Sequence, residues 1–239
     1  MKRVLILLIL ACLISGCAKQ KMVETTFLME TGEVETVAVT ETEEALPVAE
    51  TAVPAIMAIP ADKDFVKVAD YIPGVYQELM YATQENFTGQ VIYDFQDAYL
   101  RYGTVKKLAG VCRDLAEMGL YIKIWDGFRP VSAQFALWEV CPDPTYVADP
   151  NVGFSSHSRG NTLDVTLVDE NGVELEMPTG FDDFSAKADR DYSDCTAAAA
   201  NNADILEILM EKHGFTGYAG EWWHYSDTMS YPVEREFEP

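Results

Sequence analysis

Apolar positions recur three and four residues apart along YGTVKKLAGVCRDLAEMGL, residues 102–120, where Val105, Leu108, Ala109, Val111, Cys112, Leu115 and Met118 share one face. That spacing predicts an amphipathic helix, with Gly119 as its stop. YIKIW, 121–125, alternates and is rich in strand formers, so it predicts a strand broken at Asp126-Gly127. Pro130 suits the first turn of a second helix through VSAQFALWEV. LDVTLVD, 163–169, predicts a further strand, Asn171-Gly172 a turn, and VELEM the return strand. NNADILEILMEKHGF, 201–215, predicts a third helix stopped by Gly214, and the aromatic-rich EWWHYS, 221–226, a closing strand. Helices and antiparallel strands in this order predict one α+β domain over residues 63–239, a mainly antiparallel sheet with helices packed on it.

The first 62 residues follow a different pattern. Lys2 and Arg3 precede an apolar run, Val4 to Ile14, that is too short to span a membrane comfortably. Ser15, Gly16 and Cys17 follow, which is a signal-peptide layout over residues 1–16. Leu13-Ile14-Ser15-Gly16-Cys17 resembles a bacterial lipobox, whose cysteine is lipidated and becomes the new N-terminus. Residues 18–62 sustain neither helical nor strand period, and two basic residues against nine acidic leave a net charge of −7. Too few bulky apolar groups are present to offset the entropy of ordering. Residues 17–62 are therefore expected to be a lipidated, disordered acidic tether with a reach of about 35–40 Å. The expected location is extracytoplasmic, on the cell surface or in the periplasm, with the membrane as partner through the lipid.

The whole chain carries a formal net charge of −22. Such an excess argues against nucleic acid, whose phosphates need Lys and Arg partners, and against adsorption to an anionic membrane through a basic patch. The body has three cysteines, an odd number that excludes a complete disulfide framework; Cys141 and Cys195, both in loop-like sequence, are the pair that a bridge would join.

Only three histidines are present, and two of them sit beside carboxylates. His157 precedes Asp164 by seven residues, and Glu221 precedes His224 by three. Two imidazoles and one carboxylate suit a hydrolytic metal site with an open position, which leaves Glu221 free to take a proton. Taken singly, each pair is common and compatible with a surface or packing role. His213 ends a helix before Gly214, where a histidine interacts well with the helix dipole, and is read as structural.

Five segments carry a resemblance: YATQENFTGQ (81–90), IWDGFRP (124–130), SSHSRGNTLDVTL (155–167), Phe181-Asp182 and EWWHY (221–225). Between about Tyr71 and Phe237 the chain resembles the VanX-like D-alanyl-D-alanine dipeptidases of the zinc D,D-peptidase superfamily. The resemblance implies one zinc ion on His157, Asp164 and His224, with Glu221 as general base and Arg129 facing the oxyanion of the tetrahedral intermediate. It implies that Asp182 pairs with the substrate ammonium, with Asp183 adjacent, and that Ser155 and Tyr81 line the substrate site. Asp126 is expected to orient the arginine turn, Arg159 and Gly160 to shape the loop between ligands, and Trp222 and Trp223 to be packing. The implied reaction is hydrolysis of D-Ala-D-Ala to two D-alanines. Intracellular members deplete this cell-wall precursor; an exported enzyme instead suits peptidoglycan turnover or scavenging. Two alternatives are a D,D- or L,D-carboxypeptidase on longer peptides and an inactive lipoprotein that binds wall fragments.

Overall fold

The computed structural model describes residues 59–239 and, in a separate N-terminal unit, the backbone of three short strands. These are β1 (Leu10–Ala11), β2 (Met22–Leu28) and β3 (Val34–Val39), with β2 antiparallel to both others. The β2–β3 pair departs from the expectation that no strand period is sustained in this stretch. MVETTFL and VETVAV are dense in Val and Thr, whose branched side chains favour extended backbone. Cys17 and most of the expected signal and tether lie outside the described residues. Among the described residues, no helix is long and apolar enough to cross a membrane.

The body, Ala58–Pro239, is one α+β unit. Its chain order is β4 (Phe65–Lys67), β5 (Tyr76–Gln77), β6 (Tyr99–Arg101), α1 (Tyr102–Glu117), β7 (Tyr121–Asp126), α2 (Val131–Val140), β8 (Thr162–Val168), α3 (Ala197–Lys212), β9 (Phe215–Tyr218) and β10 (Glu221–Asp227). Five strands form the sheet β5-β7-β8-β10-β9, antiparallel except for the β5–β7 pair. Strands β4 and β6 form a separate ribbon.

The pattern read from α1 folds except at its end, where Met118, expected on the apolar face, follows the last helical residue and is exposed. Val105, Leu108, Val111 and Leu115 are buried, spaced three and four apart, so one stripe faces the sheet. Each such side chain contributes about 1.5–3 kcal/mol on burial. Gly119 at φ +72 ends the helix in the left-handed region that glycine enters freely. Helix α3 begins four residues earlier than the periodicity predicts, because Thr196 caps it: its hydroxyl accepts from the Ala199 amide at 3.1 Å. It ends at Lys212, and Phe215, expected inside the helix, starts strand β9 instead. Pro130 lies just outside α2 rather than in its first turn.

Strand β8 is buried at all seven positions. Leu163, Val165 and Leu167 join the core, and the alternating Thr162, Asp164 and Thr166 point to the other face. The Asn171-Gly172 turn forms, but its return is only an isolated bridge, Val168 to Glu174. Pro178 has no N–H with which to extend a ladder. The three body cysteines are free. The open question of a Cys141–Cys195 bridge is answered against it: Cys141 closes α2, and the Cys195 thiol donates to the Tyr192 carbonyl at 3.2 Å.

Candidate active site

Sheet register builds the site. Across three strands, Asp126 of β7 and His224 of β10 both lie directly opposite Asp164 of β8. An irregularity between Ile124 and Asp126 shifts β7 by one residue, and a larger one interrupts the β10–β9 pairing between Glu221 and Tyr225. Such bulges re-aim side chains, and the second lets Glu221 and His224, three apart, reach the same cleft. His157 arrives from a single 3-10 turn, Ser156–Arg159. Ser155 caps that turn, accepting from the His157 amide at 3.3 Å, and Gly160 at φ +74 ends it.

His157 Nε2, His224 Nδ1 and an Asp164 oxygen lie within 4.8 Å of one another. The separations are 3.3 Å between the two histidine nitrogens, 3.4 Å from His157 Nε2 to Asp164 Oδ2, and 3.0 Å from His224 Nδ1 to Asp164 Oδ1. A tetrahedral ion with bonds of about 2.0–2.1 Å spaces its donors about 3.3 Å apart, so this set fits zinc with one position open. The outer nitrogens are held as well. His157 Nδ1–H donates to the Gly127 carbonyl at 2.8 Å, which leaves the Nε2 lone pair facing inward. His224 Nε2 is 3.3 Å from Ser156 Oγ, which leaves its Nδ1 inward. Burial pushes the Asp164 carboxyl upward, but His157 and His224 outweigh it and hold it well below the usual carboxylate range.

Glu221 Oε2 lies 3.5 Å from His224 Nδ1. Burial, reinforced by the nearby Asp164 charge, raises its carboxyl above the ordinary range. Arg129 is held from several sides. It donates to Asp126 Oδ2 from Nη2 at 2.6 Å and to Gln134 Oε1 from Nη1 at 3.2 Å, and its guanidinium lies 4.9 Å from the Tyr81 ring centre. Burial works against this charge, but Asp126 outweighs it. Asp126 is wholly buried and also accepts from Tyr93 at 2.7 Å and from the Gly127 amide at 2.8 Å, so it is the anchor of the arginine turn.

Asp182 faces the cleft while Asp183 is exposed, which separates the two neighbours. Asp182 Oδ2 accepts from the Tyr81 hydroxyl at 2.8 Å. Its φ of +54 is a left-handed conformation that costs a non-glycine residue on the order of 1 kcal/mol. Burial, with Asp164 nearby, pushes its carboxyl up to about 8. A cationic ligand group would reverse that shift.

His157, Asp164, His224, Glu221, Arg129, Asp182, Ser155 and Tyr81 all line one cleft of about 320 Å³. That is at the small end of the roughly 300–1,000 Å³ usual for ligand pockets. Tyr146, Phe154, Phe184 and Tyr218 complete its wall. Tyr93, Gln134 and Ser156 were not anticipated from sequence. Gln134 lies five residues after Arg129, in the first turn of α2, close enough in sequence to have been followed; Tyr93 carries no local signal. His213 lies away from the cleft, its Nε2 2.7 Å from Asp114 Oδ2, where it ties the end of α3 to α1. Trp222 and Trp223 are packing in the core, while Arg159 donates to the Tyr231 carbonyl at 2.8 Å and fixes the loop that carries His157.

Three curated proteins are similar over most of their length. The D-alanyl-D-alanine dipeptidase of Escherichia coli (strain K12) is 38% identical over 172 residues, 71% of this chain and 89% of the relative. That of Enterococcus faecalis is 32% identical over 186 residues, 69% of this chain and 91% of the relative. That of Streptomyces coelicolor is 33% identical over 187 residues, with 68% and 91% covered. The family model Peptidase_M15, described as D-ala-D-ala dipeptidase, matches residues 61–238, and so the chain belongs to that family.

Proposed function

We propose that this protein is a zinc dipeptidase that hydrolyses free D-Ala-D-Ala to two D-alanines outside the cytoplasm. The carrying observation is the convergence of a three-donor metal site, a carboxylate and a held guanidinium in one small cleft. His157, Asp164 and His224 hold the ion, which when bound supplies Lewis acidity and lowers the pKa of water toward about 7. Glu221 takes the proton of the attacking water and delivers it to the leaving amine. Arg129, immobilised by Asp126 and Gln134, faces the oxygen on which negative charge develops; a preorganised donor there is worth about 2.7–4 kcal/mol. Asp182 pairs with the free ammonium, steadied by Tyr81, and Ser155 lines the same wall.

The Asp182 clamp separates a dipeptidase from a carboxypeptidase on longer peptides. Free D-Ala-D-Ala should be cleaved and its N-acetylated form rejected, by at least about tenfold in kcat/KM, since the blocked amine carries no charge to pair with the half-buried Asp182 carboxylate. Equal rates on the two would favour the carboxypeptidase.

The Leu13–Cys17 layout and the acidic stretch after it support export, lipid anchoring at Cys17 and a role in wall turnover or scavenging. Mass spectrometry of the mature protein should find a diacylglyceryl-modified Cys17 at the N-terminus. An unmodified N-terminus downstream of Cys17 would remove the anchor.

A further inference from the structure

We infer that Arg190 is a positioning residue for the reaction proposed above, holding the bulged segment of β10 so that Glu221 and His224 face one cleft. In a regular strand, residues three apart point to opposite faces. Strand β10 breaks that rule: Trp222 and Trp223 are both buried in succession, and Glu221 and His224 both line the cleft. Pairing with β9 moves from Glu221–Tyr218 to Tyr225–Gly217, four steps on one strand against one on the other. The extra residues carry carbonyls that the β9 ladder does not take.

The Arg190 guanidinium takes them. Its Nη2 lies 3.1 Å from the Glu221 carbonyl, 3.1 Å from that of Trp222 and 2.9 Å from that of His224, and its Nε donates to the Tyr218 carbonyl at 2.8 Å. Its Nη1 meets the Tyr225 hydroxyl at 3.1 Å and Glu207 at 3.2 Å, and its plane lies 4.4 Å from the Tyr225 ring centre. One planar fork thus binds the backbone of the base, of one metal ligand and of the strand beside them. A lysine, with a single nitrogen, cannot meet the three β10 carbonyls that Nη2 meets and at the same time the Tyr218 carbonyl, the Tyr225 hydroxyl and Glu207. Gly217 belongs to the same device: a Cβ there would overlap the guanidinium. Arg190 does not line the cleft, so it acts only through β10.

The test compares Arg190→Lys and Gly217→Ala with the unsubstituted protein. Arg190→Lys keeps the charge beside Glu207, and Gly217→Ala displaces the guanidinium without removing it. Zinc affinity is measured by competition with a chromogenic chelator, kcat and KM on D-Ala-D-Ala at saturating zinc, and the unfolding midpoint alongside. Zinc affinity should fall about 10–100-fold in Arg190→Lys, as for other residues that orient ligands. In the same variant kcat should fall by about 10-fold or more at saturating zinc, with KM within about threefold, because Glu221 moves with His224. Gly217→Ala should shift both in the same direction. A lowered unfolding midpoint with zinc affinity and kcat at the unsubstituted values would make Arg190 a merely structural residue and overturn the inference. If Arg190→Lys does not fold, Gly217→Ala decides alone, and unchanged zinc affinity and kcat there overturn it. Failure of the proposed reaction itself would show as an unsubstituted protein inactive on the dipeptide. The zinc-affinity comparison would then still decide whether Arg190 positions His224.

Discussion

Glu221→Ala is expected to lower kcat on D-Ala-D-Ala by about 10²–10⁴-fold while zinc stays bound at one ion per chain. The magnitude is that of a lost general base, and the surroundings of Glu221 explain why no neighbour replaces it. Asp164 belongs to the metal set, Asp126 is taken up by Arg129 and Tyr93, and Asp182 is bonded to Tyr81. Glu221 alone among these carboxylates lines the cleft beside His224 without a fixed hydrogen-bond partner in the cleft. Metal retention follows from the three donors being intact. Kinetics and metal analysis on the same sample check both halves; a near-native rate would place the base elsewhere.

His157→Ala should lose the metal, and activity with it. The substitution removes one of three donors. It also leaves the Gly127 carbonyl, which accepts from His157 Nδ1–H at 2.8 Å, without its partner, at about 1–3 kcal/mol. The loss of activity should be at least as deep as for Glu221→Ala, but here zinc content after dialysis should fall toward zero. Full occupancy in His157→Ala would contradict the ligand assignment.

Much of the fold was legible because burial and period agree. In α1 the three-and-four spacing maps directly onto Val105, Leu108, Val111 and Leu115. The central strand was readable from LDVTLV, and the ends of two helices from Gly119 and Gly214. Strand β9 was hidden because Phe215-Thr216-Gly217-Tyr218 is four residues with a glycine, and its identity depends on the partner β10. The start of α3 was hidden because four alanines carry no period; the Thr196 cap decides it.

The site was legible to a different depth. Histidine scarcity pointed to His157 and His224, and motif resemblance supplied the other named residues. Supports near in sequence, Asp126 beside Arg129 and Arg159 beside His157, were read; distant ones were not legible, since Tyr93 is 33 residues from Asp126, and Arg190 is 31 residues from Glu221. Arg190 sits in the sequence ADRDY, which carries no motif, and only the pairing of β10 with β9 gives it a task.

The central claim is tested most directly by D-alanine release from D-Ala-D-Ala by the purified protein, measured before chelation, after chelation and after zinc is returned. The account predicts release, its loss on chelation and its restoration by zinc. Folded, zinc-loaded protein that releases no D-alanine from the dipeptide would contradict it.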